Sequence, residues 1–324
     1  MKESDFEAKN TQDWRQYDMV MENLERGNHD AVDTPKVPGM VRKLCSDLSL
    51  ARHRMYGSRT CENLNYRVTR GHKLVAKADG GFRDKVVKFF MADFPQAMRK
   101  EWKLLVVCWL VFLVPFFVMW MSYSYDQEWA DSMLGDGAKG DLDASYGKGD
   151  DSNLSMRDEF GANFMMFGHY IHNNIGIDLL IFAGGALAGI GSLFFLAVNG
   201  LSMGASLAYV LNEGSPEKLL SFVSGHVSYE LLGMVVAGMA GMRIGLAMIK
   251  PGQMSRAKAL LESGKSGLPL IIGACCLTFL AAIIEGFWSA QNVSPDIKYK
   301  VGYAGWFLLA LYFIFVGRGK KYAA

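Results

Sequence analysis

Three short stretches carry the residues that could do chemistry. In "SGHVSYELLG", His226 and Glu230 stand four apart; in "HNNIGID", Asn174 and Asp178 do the same, with Asn173 beside them; in "AAIIEGF", Glu285 interrupts an apolar run. Residues four apart share one face of a helix, so each stretch presents its polar groups together. An imidazole and carboxylates converging from separate helices fit three kinds of chemistry. They make a hydrogen-bonded core that fixes helix register, a path along which protons or ions pass, or part of a metal site. His-x-x-x-Glu can contribute two zinc ligands, though a third ligand and a water-bearing fourth position are then needed. The chain has no HExxH and no GxxxxGK[ST], so the usual zinc-protease and P-loop nucleotide chemistries have no sequence support.

The elements that must position these residues are membrane helices. Of the 324 residues, 51% are hydrophobic, and the net charge of +2 gives no reason to expect a nucleic-acid partner. A run of about twenty apolar residues reads as a membrane span. Leu104–Met121, parts of Ile175–Leu211 and Leu219–Ile249, Leu268–Trp288 and Val301–Gly317 all qualify. The first forty residues are charged and lack the apolar core of a cleavable signal peptide, so the first span must direct insertion. The five cysteines show no CxxC or zinc spacing; Cys108, Cys275 and Cys276 read as small residues of apolar helices.

Charge threads the spans. Arg99, Lys100 and Lys103 precede the first helix, Lys250, Arg256, Lys258 and Lys265 form a basic loop, and Arg318, Lys320 and Lys321 close the chain. The positive-inside rule puts all three in the cytoplasm. Acidic Tyr123–Glu159, "NEGSPEK" and "AQNVSPDIKYK" then lie outside. Parity requires Ile175–Leu211 to cross twice, and Asn199-Gly200 is the turn signal taken for that hairpin. The expected fold is therefore an all-α polytopic bundle of about six helices in the inner (cytoplasmic) membrane of a bacterium, with both termini in the cytoplasm. Residues 1–100 form a helical cytoplasmic segment, in which Pro35 and Pro38 precede one helix over Val41–Ala78. Residues 101–122 are the first span, 123–168 an external acidic loop and interfacial helix, and 169–324 the membrane core. The middle of the loop, "LGDGAKGDLDASYGKGDD", reads as a flexible linker too polar to bury a core and lacks EF-hand spacing.

On this threading Asn174, Asp178, His226, Glu230 and Glu285 all fall in the outer half of the bilayer. An ionised side chain at mid-bilayer costs about 2.5–3.5 kcal/mol, so these groups should face one another. Arg243 lies on another face within reach of the inner interface, where it should snorkel. The spacings Gly185xxxGly189, Gly200xxxGly204 and Gly241xxxGly245 allow helix backbones to approach closely, within the chain or across a homodimer.

In order along the chain, "HNNIGIDLLIFAGG", "AVNGLSMG", "GHVSYELLG" and "AAIIEGF" resemble the stage II sporulation protein M family. "DLSLARHRMYGSRTCENLNYRVTRGHKLV" is similar to the helical cytoplasmic region of its non-sporulating members, which extends the likeness from about Lys43. The resemblance implies a His-Gly pair where this chain has His226-Val227. It also implies an integral membrane scaffold or assembly factor of the cell envelope. The chain is read as not an enzyme, with no cofactor and no metal. Its partners would be the lipid bilayer and proteins of the membrane and cytoplasm, including a MoxR-type AAA+ ATPase system with a von Willebrand-like component. The residues expected to define the structure are Asn173, Asn174, Asp178, Asn199, His226, Glu230 and Glu285. A transporter or channel subunit using the same cluster, and an intramembrane metalloenzyme, are the alternatives.

Overall fold

The computed structural model describes residues 2–26, 36–78, 82–148 and 160–319, and every regular element among them is helical. Pro35, the end of the acidic loop (149–159), Lys320 and Lys321 lie outside the described residues. The chain divides into two compact units, Met1–Val87 and Lys88–Ala324.

The first unit holds α1 (Glu3–Glu25), α2 (Val37–His53) and α3 (Ser58–Ala78). In α1 the buried residues Phe6, Asn10, Trp14, Tyr17, Met21 and Leu24 recur every three or four positions, the stripe of an amphipathic helix. Val41, Leu44, Leu48 and Ala51 answer from α2 and Leu64 from α3. Polar ties fix the register. Trp14 Nε1 donates to Asp47 at 3.0 Å, the Tyr17 hydroxyl to the Arg67 carbonyl at 2.8 Å, and Arg70 to both oxygens of Glu25. The single helix expected over Val41–Ala78 is in fact two. Arg54–Gly57 breaks it, with Met55 at φ 54°, and the break lets α3 fold back along α2 to cover α1.

α4 (Phe82–Lys88) belongs to the first unit but for its last residue, and the second unit opens with a π-turn (Phe89–Asp93) and α5 (Phe94–Lys100). Then come α6 (Trp102–Ser122), α7 (Gln127–Tyr146) and α8 (Phe160–Tyr170). A π-turn (Ile171–Ile175) joins α8 to α9 (Gly176–Ala183). α10 (Ile190–Asn212), α11 (Pro216–Ser224), α12 (Val227–Ile249) and α13 (Arg256–Ile284) follow. A π-turn (Glu285–Ser289) and α14 (Pro295–Phe315) complete it. Among the described residues, four helices are long and apolar enough to cross a membrane: α6, α10, α12 and α13 with its π-turn. The other two crossings expected from charge correspond to the interrupted run α8–α9 and to α14, which are not among those four.

The second unit is organised around α12, buried without a break from Leu232 to Gly241. It packs along α13, against α9 and against α6. α6 carries an outward apolar row of Val106, Val107, Leu110, Val114, Phe117 and Trp120, as a helix facing lipid does. Its inner side meets Gly200 and Gly204 of α10, where a Cβ would collide with the carbonyls of Phe112 and Phe116.

That contact corrects the expected hairpin turn. Asn199-Gly200 sits inside α10, and the reversal is at Leu187–Gly189, where Ala188 and Gly189 take φ 56° and 85°. A turn needs positive φ, which glycine adopts freely; Gly200 instead serves close helix packing. The three GxxxG spacings all pack within the chain, Gly185 against Gly241, Gly189 against Gly245 and the Gly200 pair against α6. The linker expected in the acidic loop is also corrected. α7 is helical, capped by Asp126 accepting from the Trp129 N–H and kinked at Gly135. It docks through Tyr209, whose hydroxyl lies 3.0 Å from Asp143, and through the Ser215 N–H to the Tyr146 carbonyl at 2.7 Å. Capping and docking partners thus order a stretch whose composition alone points to a coil.

Two outcomes follow. A methyl group at Gly241 meets Ser192 Oγ and the carbonyls of Phe182 and Ile181, so Gly241→Ala should lower stability by about 1–3 kcal/mol. Gly264→Ala, with open space around it, should be neutral or stabilising, and melting in detergent compares them. In the first unit, Glu3 accepts from the Thr60 hydroxyl at 2.7 Å and the Gly57 N–H at 3.0 Å. These bonds, Thr60's first, hold its carboxyl below the ordinary 4.5. The folded value is depressed, so this contribution is complete above pH 4.5 and is lost as pH falls through the folded value. Hydrogen exchange of Gly57–Thr60, corrected for intrinsic rate, should accelerate in that acid window and change less in Thr60→Val.

Candidate functional site

The site forms where two π-turns meet the start of α12. Gly225 ends α11, and a Cβ there would run into the Trp288 ring. This close approach seats His226, the residue that opens α12, against the Glu285–Ser289 turn. His226 is 2% exposed and Glu285 8%. The imidazole is held from both sides. Nδ1 lies 2.9 Å from Ser289 Oγ, and Nε2 faces Glu230 at 3.7 Å and Glu285 at 3.9 Å. The ligand atoms of His226, Glu230 and Glu285 all fall within 4.8 Å of one another. From the second π-turn, Asn174 Nδ2 reaches Glu285 at 3.5 Å, and Asn173 Nδ2 donates to Asn174 Oδ1 at 2.8 Å. One turn further in, buried Asp178 accepts from the Thr278 hydroxyl at 2.5 Å.

A π-turn winds more loosely than an α-helix and commonly marks a functional position. Here Asn174 of one π-turn and Glu285 and Ser289 of another take part in the site. Glu285 and Ser289 address the same imidazole, and Asn174 reaches Glu285 while Asp178 reaches Thr278. Buried polar groups in native proteins are paired, and this arrangement pairs groups from three segments far apart in sequence.

Of the seven residues singled out by sequence, Asn174, His226, Glu230 and Glu285 meet, Asn173 joins through Asn174, and Asp178 lies in the adjoining layer. Asn199 does not take part. Its amide donates to the Phe195 carbonyl one turn back in its own helix, at 2.8 Å, the local back-bonding open to Asn inside a helix. Ser289 and Thr278 were missed. Both can be found from Glu285 by counting, Ser289 four residues after it and Thr278 seven before. Arg243 Nε lies 3.0 Å from Glu101, the residue between α5 and α6.

Chemically, the triad offers one imidazole nitrogen and two carboxylates to a common point. It can share protons among them or hold a cation. Residues 108–290 match the family Stage II sporulation protein M, and residues 4–77 match a Domain of unknown function (DUF8413). No curated protein and no solved structure matches the chain. The first match spans every residue of the polar cluster.

If the Asp178–Thr278 contact holds α9 to α13, Asp178→Ala strands the Thr278 hydroxyl and should cost about 1–3 kcal/mol. Asp178→Asn, which keeps an acceptor oxygen, should cost less. Equal melting temperatures for the alanine variant and the parent would remove the structural role.

Proposed function

The chain belongs to the stage II sporulation protein M family, and from that premise we propose that it is a non-enzymatic membrane scaffold or assembly factor of the cell envelope. It is a multi-pass membrane protein with several apolar helices, and the family is not a known enzyme family. The observation that carries the reading is the two-unit build. A helical unit with its own apolar core, matched by a separate family over residues 4–77, is attached to the membrane bundle. A module of that kind is how a membrane protein presents a surface to other proteins.

The surface available has mixed chemistry. A groove of about 420 Å³ is lined by Trp14, Tyr17 and Met40 together with Asp13, Arg42 and Asp47. An aromatic floor with charges of both signs at its edge suits a protein segment better than a nucleic acid, which needs a basic face. The reading places this unit and the C-terminus in the cytoplasm of a bacterial inner-membrane protein, with the basic residues beside the first span as its support. A cytoplasmic partner such as a MoxR-type ATPase system would meet the chain there. The enclosed polar layer supports a fixed bundle as the base of the scaffold.

The test compares the full chain with a chain lacking residues 1–78, crosslinked in the membranes of the source cell and purified in detergent. The scaffold reading expects the shorter chain to insert, and the cytoplasmic proteins crosslinked to the full chain to be lost from it. Unchanged crosslinking would move recruitment elsewhere. In parallel, the parent protein in liposomes should show no proton or cation flux at any pH. Flux that Glu230→Gln abolishes without loss of stability would replace the scaffold with a transport function.

A further inference from the structure

We infer that His226, Glu230 and Glu285 bind a divalent transition-metal ion of the zinc class. The inference starts from where these groups are. His226 and Glu285 are almost wholly buried, and Glu230 is 20% exposed through its side chain. All three project from segments of a membrane bundle. The two carboxylates flank one imidazole, which can balance at most one of their charges. A divalent ion balances both while the imidazole stays neutral, and so removes the cost of charge at membrane depth.

The geometry suits a metal better than direct hydrogen bonds. Nε2 stands 3.7 and 3.9 Å from the two carboxylates, past hydrogen-bond distance to either. Zinc takes nitrogen and carboxylate oxygen at about 2.0–2.2 Å, which sets neighbouring tetrahedral ligands about 3.3–3.6 Å apart. The observed separations, none above 4.8 Å, close to that range with side-chain shifts of about one ångström. Imidazole with carboxylate is a ligand set of zinc and its neighbours, whereas magnesium and calcium take oxygen ligands alone.

The surroundings add what a metal-binding histidine requires. Such a ring usually gives its other nitrogen to a hydrogen-bond partner that fixes its tautomer and direction. Ser289 Oγ stands 2.9 Å from Nδ1. With Nδ1 donating to that hydroxyl, Nε2 turns its lone pair toward Glu230 and Glu285. Asn174 Nδ2 lies 3.5 Å from Glu285 Oε2, and Glu285 Oε1 faces the imidazole at 3.9 Å. Ser289 is therefore a positioning residue for the site.

The experiment uses the full chain in detergent, stripped with a chelator and then offered Zn²⁺, Mg²⁺ or Ca²⁺. Metal retained after gel filtration is counted by mass spectrometry, and melting is followed in parallel. The expected result is about one Zn²⁺ per chain, a raised melting temperature and no comparable retention of the other two ions. His226→Ala and Glu285→Gln should abolish retention. Ser289→Ala should weaken it about 10–100-fold, and Asp178→Asn, outside the triad, should keep it. X-ray absorption of the zinc-loaded parent should show a single imidazole among oxygen donors, a readout that stands even if a variant fails to fold. No retained zinc, a thiolate or multi-imidazole shell, or undiminished binding in His226→Ala overturns the site. The result is separable from the scaffold reading, which rests on partner recovery and not on metal content.

Discussion

Backbone-to-backbone contact between the Gly184–Gly191 turn and α12 sets the position of the polar groups inside the bundle. Gly185 lies on Gly241 and Gly189 on Gly245, with no room for a side chain at these contacts. Because the turn reaches α12 so closely, α9 is drawn against α12 and α13 along its length. Asp178 thereby comes within reach of Thr278, and Asn174 within reach of Glu285. Small residues win here for a reason specific to lipid. Apolar side chains gain little by leaving lipid for a helix interface, so close packing and hydrogen bonds must hold the helices together. The glycines supply the first, and their placement makes the second geometrically possible.

The polar residues were legible because charge within an apolar run is conspicuous, and the four-residue spacing of His226 and Glu230 placed them on one face without any structure. Their partners were harder to see. Ser289 and Thr278 are ordinary residues in a membrane helix, and only the approach of His226 from α12 and of Asp178 from α9 gives them a role. The hairpin turn was misread for a related reason. Asn-Gly carries a local turn preference, but tertiary packing overrode it, and the glycines of "FAGGALAGIG" concealed a positive-φ turn inside what also reads as a helix-packing motif. Val41–Ala78 failed similarly: "RMYGS" contains a single glycine, yet the chain breaks before it, at Met55. The acidic loop shows the opposite error. Its composition argued for coil, while Asp126, Asp143 and Tyr209 supply the cap and dock that composition cannot reveal.

The two ends of the bundle treat charge differently. Arg99 Nη1 donates to the Phe313 carbonyl at 2.7 Å, Gln96 Nε2 to the Gly317 carbonyl at 3.0 Å and the Tyr312 hydroxyl to the Phe90 carbonyl at 2.6 Å. The unpaired carbonyls at the end of a helix need such donors, so these bonds fasten the end of α14 to α5 and the π-turn before it. Arg243 and Glu101 add an ion pair whose cation is permanent. That end carries fixed, matched charge and is suited to hold α5, α6, α12 and α14 together.

At the other end of α12, about 20 Å away by helical rise from Glu230 to Arg243, the only group of the triad able to carry positive charge is an imidazole. Its protonation can change where that of a guanidinium cannot. A chain that needed only a rigid bundle could place arginine opposite Glu285 as it places Arg243 opposite Glu101. Histidine between two carboxylates, with Ser289 directing the ring, instead leaves the charge balance of that layer to something that can come and go. On the zinc reading, a bound ion supplies to this layer the positive charge that Arg243 supplies at the other end of the same helix.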